Sequence, residues 1–227
     1  MKFINFKNKK IFIAGKNGLL GSAIHRVFKK KEPLAKLLIP SSKDLDLTNL
    51  KKTESWFKKN KPDYVILAAA KAAGIFDNIN NPTLYMVDNI KIQTNVITLS
   101  HKYKVKKLIF IGSSCIYPKF SKNPIKEDSL LEGALEETNQ WYAITKIHGI
   151  KFCEAFKKQF NSNFISVMPT NLYGTNDKFY DDKISHVIPA LIKKFLVAKK
   201  NKLKKVEIWG TGNPKREFLF ADDCADA

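Results

Sequence analysis

Short apolar runs rich in isoleucine, valine and phenylalanine alternate with stretches of helical pattern along this chain, and that alternation restricts the fold more than any other feature. A continuous apolar run of strand length is covered on both faces. Where each run is followed by a helix, the helices supply the cover, which is the sequence form of an α/β chain with a doubly wound parallel sheet. Ile11-Phe12-Ile13-Ala14 is the first strand and Leu19 to Lys31 the first helix. A second strand over Lys36 to Pro40 leads to a helix from Thr48 to Lys59, opened by a threonine cap. Asp63 to Ala70 is a third strand; a loop through Gly74 and Asn81-Pro82 then enters a long helix ending near Tyr103. Lys107 to Ser114, a helix over Thr138 to Gln159, and Phe164 to Thr170 continue the series. Beyond these the pattern gives a helix over Val187 to Ala198 and short strands at Val206 to Gly210 and Glu217 to Phe220. Asp222-Asp223-Cys224-Ala225-Asp226-Ala227 reads as the first turn of a helix, with acidic residues where the dipole favours them. At 227 residues and 44% apolar composition the chain is large enough for one core, or one domain with part of another.

Directly after the first strand, Gly15-Lys16-Asn17-Gly18-Leu19-Leu20-Gly21 opens the first helix. Glycines in that position let a pyrophosphate approach the backbone at a helix N-terminus, so the context reads as nucleotide binding. Glycines spaced by two residues resemble the short-chain dehydrogenase pattern rather than the tighter spacing of ordinary dehydrogenases. An acidic residue at the end of the second strand would bond the ribose 2′-hydroxyl of NAD. Ser41, Ser42 and Lys43 stand there instead and would suit a 2′-phosphate, favouring NADP(H), although Asp44 follows and leaves an acid for NAD. Asp46-Leu47 would cover the adenine.

Tyr142 and Lys146 are four apart on a helix, so both emerge on one face. An ammonium beside a phenol is expected to lower the tyrosine pKa, which suits a group that exchanges a proton with a substrate oxygen. Gly112-Ser113-Ser114-Cys115-Ile116-Tyr117-Pro118 lies at the C-terminal end of the fourth strand, the edge where doubly wound sheets place ligands. There Ser113 or Ser114 could hold the reacting oxygen. Taken alone, Cys115 reads as a small buried hydrophobe and His186 as a helix-start histidine.

The motifs together resemble the extended short-chain dehydrogenase/reductases of the NAD-dependent epimerase/dehydratase family. The resemblance rests on Leu67 to Lys71, Gly112 to Pro118, Tyr142-Ala143-Ile144-Thr145-Lys146, Met168-Pro169-Thr170-Asn171-Leu172-Tyr173-Gly174, Ser185 to Leu191, and Trp209-Gly210 followed by Arg216-Glu217-Phe218. It implies a Rossmann fold and an enzyme that inverts C3 and C5 of GDP-4-keto-6-deoxy-D-mannose and reduces C4 with NADPH to give GDP-L-fucose. Ser113, Tyr142 and Lys146 would be the reductase triad, Cys115 and His186 the base and acid of epimerisation. The cofactor-binding set it implies is Gly15, Asn17, Gly18, Leu19, Leu20, Gly21, Ser42, Lys43, Asp46, Leu47, Gly112, Ser113, Ser114, Lys146, Pro169, Thr170, Asn171, Leu172 and His186. Lys194, Trp209 and Arg216 would lie near the GDP moiety, Lys194 where an arginine is usual. Asn17, and likewise Ser42, stands where a basic residue is often found.

Residues 1–174 are then expected to form the NADP-binding domain and 175–227 the start of a substrate-binding region that is truncated relative to the family. The neighbouring readings are another nucleotide-sugar epimerase or dehydratase, and an inactive cofactor-binding fragment. The family also implies a homodimer built through the helices Thr83 to Tyr103 and Thr138 to Gln159.

The formal charge of +19 prompts a search for polyanion partners. Only Arg26 and Arg216 among the 40 basic residues are arginine, so the fork that reads guanine and clamps phosphate is nearly absent and no nucleic-acid partner is expected. The lysine-rich run from Lys199 to Lys205 reads as a solvated loop. Cys115, Cys153 and Cys224 show neither a disulfide framework nor metal-ligand spacing, which fits a reducing, cytoplasmic compartment without a metal. No apolar stretch approaches membrane-spanning length, and no membrane association is expected.

Overall fold

The computed structural model describes residues 4–72, 79–178, 185–208 and 210–227. The loop position Gly74 and the substrate-binding candidate Trp209 lie outside the described residues. Strands β1 (Lys10–Ala14), β2 (Lys36–Leu38), β3 (Tyr64–Leu67), β4 (Lys107–Ile111) and β5 (Phe164–Val167) form one sheet in the order β2-β1-β3-β4-β5. All four pairings are parallel. The helices are α1 (Leu19–Lys31), α2 (Leu50–Asn60), α3 (Pro82–Lys102), α4 (Gln140–Phe160), α5 (Val187–Lys200) and α6 (Ala221–Asp226). None of the described helices is long and apolar enough to cross a membrane.

Alternation along the strands divides the core into two layers. Phe12, Val65, Leu67, Leu108 and Phe110 point to one face, where Phe57 of α2, Val96 and Ile97 of α3 and Ile150 of α4 cover them. Ile11, Ile13 and Ile66 point to the other and meet Leu20 and Ile24 of α1. The sheet is therefore doubly wound, as its apolar runs imply. Chain order reverses between β1 and its two neighbours, so the crevice beyond the C-terminal ends of β1 and β3 is where such a sheet takes a ligand.

Two local expectations are corrected. The cap of α2 is Asn49, whose side chain accepts from the Lys52 N–H at 3.0 Å; the Thr48 hydroxyl instead donates to Asp46 at 2.7 Å. Residues 206–208 carry no strand. The partner of β7 (Phe218–Phe220) is β6 (Asn171–Tyr173), a parallel two-stranded pair whose members lie far apart in sequence. The final helix α6 forms as its acidic residues imply, and it docks on α1: Asp222 pairs with Arg26 and Asp226 with Lys31. The Arg26 hydrogen bond holds the Asp222 carboxyl below the usual carboxylate range. Residues 218–226 thus return to the first βα unit.

Candidate active site

The glycine loop fixes the first wall of the site. Gly15 has φ +93°, and a Cβ there would stand 2.6 Å from the Ala69 nitrogen, just past β3. A Cβ on Gly21 would stand 2.1 Å from the Gly15 carbonyl oxygen. Only glycine permits both approaches, so the α1 N-terminus is drawn against the loop and its free N–H groups face the crevice. Gly18 closes the turn by donating to the Gly15 carbonyl at 3.0 Å, and Leu19 and Leu20 begin the helix. This is a cradle for a pyrophosphate: a close backbone approach and a helix N-terminus meet at the sheet's switch point. A cleft of about 590 Å³ beside it is lined by Lys16, Asn17, Ser22, His25, Arg26, Asn176 and Asp177.

Past β2, the Asp44 carboxylate is turned inward onto its own loop, accepting from the Ser41 N–H at 3.0 Å and the Ser41 hydroxyl at 2.6 Å. Those two bonds hold its pKa below the ordinary value. Ser42 and Lys43 are left exposed beside it, an arrangement that offers a donor and a cation where a ribose 2′ substituent would lie. Asp46 is likewise held low by Thr48. The next residue, Leu47, is fastened from behind: the nearly buried Asn95 of α3 donates to its carbonyl at 2.8 Å.

Asn89, fully buried on the same helix, clamps the loop that follows β3. Its Oδ1 accepts from the Lys71 N–H at 2.7 Å and its Nδ2 donates to the Lys71 carbonyl at 3.0 Å. Asp88 pairs with the Lys71 ammonium at 2.5 Å. Sequence reasoning missed both asparagines. Their signal was available as amides inside the apolar face of a long helix, which must find partners when buried.

The reactive side chains gather at the end of β4. Gly112 continues the strand, Ser113 caps a 3₁₀ turn over Ser114–Ile116 and accepts weakly from the Cys115 N–H at 3.5 Å, and Ser114 points outward. Tyr142 and Lys146 reach the same place from α4. Lys146 is buried, donates to the Ile111 carbonyl at 2.7 Å, and lies 5.5 Å from the Tyr142 ring centroid. Gly149, another residue that sequence reasoning passed over, lets α4 come this close. A Cβ at Gly149 would stand 2.3 Å from Cζ of Phe110 on β4.

The electrostatics of this cluster correct one expectation. Burial pushes the Tyr142 phenol up, and the neighbouring Cys115 adds to the rise. Burial also pushes the Lys146 ammonium down to about 8, against the opposing pull of Cys115. Desolvation, not ammonium proximity, therefore sets the direction of the Tyr142 shift, and the Lys146 Nζ donates to a backbone carbonyl. The Cys115 thiol is raised by burial, with Ser113 and Lys146 pulling less strongly the other way.

Pro169 and Thr170 follow β5. The Thr170 hydroxyl and the Asn171 amide donate to the Glu217 carbonyl at 3.2 and 3.1 Å, and Leu172 packs in the α1-side core. His186 caps α5 from an exposed position, its Nδ1 3.3 Å from Oδ1 of Asp177. The described hydrogen bonds do not join His186 to Cys115. Lys194 on α5 donates to the Glu207 carbonyl at 3.2 Å, and Arg216 bonds its neighbour's carbonyl at 2.7 Å in an exposed stretch. Ser113, Cys115, Tyr142 and Lys146 are thus brought together; no hydrogen bond or ion pair described ties Lys194 or Arg216 to them.

A model of the NAD dependent epimerase/dehydratase family matches residues 11–227. GDP-L-fucose synthase 1 of Arabidopsis thaliana is 52% identical over 97% of this chain, which spans 68% of that protein. GDP-L-fucose synthase of Escherichia coli K12 is 44% identical over 96% of the chain and 68% of its own length. The solved structure of a GDP-L-fucose synthetase from Naegleria fowleri bound to NADP superposes over all of this chain and 72% of its own, with TM-score 0.88 at 31% identity. With the parallel sheet, the glycine cradle and the Tyr142/Lys146 cluster in place, these likenesses show that the chain belongs to the NAD dependent epimerase/dehydratase family.

Proposed function

We infer that the protein acts as a GDP-L-fucose synthase, inverting C3 and C5 of GDP-4-keto-6-deoxy-D-mannose and reducing C4 with NADPH. The observation that carries this reading is the position of Cys115, two residues beyond Ser113 in the 3₁₀ turn that Ser113 caps, at the same end of β4 where Lys146 and Tyr142 meet. A thiol placed inside a reductase cluster suits an enzyme that must move carbon-bound protons next to the ketone it reduces. A 4-keto group acidifies the protons on both neighbouring carbons, so Cys115, once deprotonated against the raising effect of burial and with Ser113 and Lys146 pulling the other way, removes one, and His186 returns one to the opposite face.

NADPH fits the glycine cradle, the exposed Ser42/Lys43 pair and the Leu47 loop, and when bound it supplies a hydride. Gly15, Gly18 and Gly21 with the α1 N-terminus would hold its pyrophosphate. Tyr142 gives the C4 oxygen its proton, Ser113 hydrogen-bonds that oxygen, and Lys146, with a pKa brought near 8, refills the tyrosine proton from solvent. Lys194, Trp209 and Arg216 would contact the GDP moiety, arginine suiting a diphosphate.

The division of labour follows the same reading: residues 1–174 carry the cofactor and 175–227 open the substrate region. A homodimer through α3 and α4 is supported by an apolar hollow of about 570 Å³ between them, lined by Pro82, Thr83, Met86, Val87, Ile90, Lys91 and Trp141. The cytoplasm is the compartment in which three unpaired cysteines and a nucleotide sugar would meet.

Product stereochemistry tests the assignment. Wild-type protein is expected to give GDP-L-fucose with solvent deuterium at C3 and C5, and Cys115→Ser to yield the unepimerised 4-reduced sugar. Full inversion by Cys115→Ser would refute the role given to the thiol.

A further inference from the structure

We propose that Asp177 is the positioning residue for His186, fixing its imidazole so that Nε2 delivers the proton in each inversion; the proposal rests on the reading of His186 as the acid. The Asp177 side chain is only 7% exposed, whereas that of His186 is 47% exposed. A carboxylate that deep needs donors. The hydrogen bonds described supply two, the Lys178 N–H at 2.8 Å and the His186 Nδ1 at 3.3 Å, both on Oδ1. Its Oδ2 is buried and has no partner among the described residues. Since an ionised carboxylate only accepts, Nδ1 must carry the proton in this pair. The other ring nitrogen, Nε2, is then the one left to face substrate, and the single positive charge that the ring carries when Nε2 is also protonated is compensated from behind by the carboxylate.

The carboxylate is itself held in place by the site's own scaffold. Asp177 donates its N–H to the Gly174 carbonyl at 3.2 Å, closing a turn that leaves β6. Gly174 adopts φ +146°, and a Cβ there would press on the Phe220 ring of β7 at 3.0 Å, so the turn lies flat against the β6–β7 pair. Lys178 then donates its ammonium to the Ala72 carbonyl at 2.7 Å, tying the turn to the loop that Asn89 clamps. Asp177 also lines the cleft beside the glycine cradle. A chain of hydrogen bonds thus runs from the β3 loop to His186, although the histidine itself is exposed.

In each inversion the carbon–hydrogen bond breaks toward the Cys115 thiolate and an S–H bond forms. The Nε2–H bond breaks and a new carbon–hydrogen bond forms on the opposite face. The imidazole is left neutral with its Nδ1–H still on Asp177, and proton exchange with water returns thiol and imidazole to their starting states.

The test compares Asp177→Ala, Asp177→Glu and His186→Asn, reading GDP-L-fucose against the unepimerised 4-reduced sugar and solvent deuterium at C3 and C5. Imidazole nitrogen shifts of His186 report the tautomer. Asp177→Ala is expected to lower the epimerised fraction roughly 100-fold, the scale of an ångström-level misplacement, with kcat falling more than KM, a mixed tautomer signal, and partial recovery in Asp177→Glu. Should Asp177→Ala fail to fold, isosteric Asp177→Asn takes its place and is expected to lose inversion by at least tenfold. Normal inversion in the Asp177 variants together with its loss in His186→Asn would overturn the proposal. Normal inversion in His186→Asn would overturn the underlying role of the histidine, and the proposal with it.

Discussion

Gly149 offers a quantitative check on how the reactive cluster is assembled. In Gly149→Ala the new Cβ would meet Phe110 Cζ at 2.3 Å and two further ring atoms at 2.6 and 2.8 Å. Ordinary carbon contact begins near ~3.5 Å, so ring and helix must separate by about 1 Å. Phe110 is fully buried in the central sheet and has no free space to rotate into. Overpacking of this kind costs up to about 3 kcal/mol. Alanine recovers about 1 kcal/mol as the better helix former. The clash wins by about 2 kcal/mol, which for a chain of this size corresponds to a fall in Tm of roughly 4–8 °C. The same displacement would stretch the 2.7 Å bond from Lys146 to the Ile111 carbonyl beyond hydrogen-bond range and misplace Tyr142, with an expected loss of about 100-fold in kcat/KM for NADPH oxidation. Scanning calorimetry and steady-state kinetics read the two effects. Adding Phe110→Leu should return part of the stability and activity lost. An increase in Tm with unchanged kinetics would refute the reasoning, since helix propensity alone would then be at work.

The buried Lys146 makes a second expectation about pH. Its pKa falls from 10.5 to about 8 on folding, so the unfolded chain binds the extra proton between those values and the burial penalty is felt in full below about pH 8. Relative to Lys146→Met, wild-type stability should therefore rise by about 3 kcal/mol from pH 8 to 10.5, at 1.36 kcal/mol per unit, whereas a constant difference would contradict the shift. Lys43→Ala should weaken NADPH roughly tenfold and leave NADH unchanged in fluorescence titrations, since a charge-assisted hydrogen bond is worth about 1.5 kcal/mol. Equal losses for both cofactors would remove Lys43 from the 2′ site. Val87→Asp, in the hollow between α3 and α4, should shift sedimentation from dimer to monomer without loss of fold; an unchanged sedimentation coefficient would place the interface elsewhere.

Much of this arrangement is readable from the chain because the deciding signals are local. The β1 run and its glycines lie within a dozen residues, and the spacing of Tyr142 and Lys146 follows from one helix period. What stayed hidden depends on elements distant in sequence. Residues Asn171–Tyr173 become a strand only through pairing with Phe218–Phe220. Asn89 and Asn95 matter through backbone groups of Lys71 and Leu47, on loops that helical periodicity does not identify. The direction of the Tyr142 shift was misread because spacing gives the charge neighbour but not the desolvation that outweighs it. Asp177 carried no motif, and its link to His186 arises from a turn closed across Gly174 and Phe220.

The central claim is tested most directly by NADPH oxidation with GDP-4-keto-6-deoxy-D-mannose, run on this chain and on Tyr142→Phe with the sugar product resolved. The expected result is turnover to GDP-L-fucose that falls at least 1,000-fold in the variant, about 4 kcal/mol of transition-state stabilisation, while NADPH still binds both proteins. Undiminished turnover in Tyr142→Phe, or NADPH binding by the wild-type chain with no sugar reduced, would contradict the account.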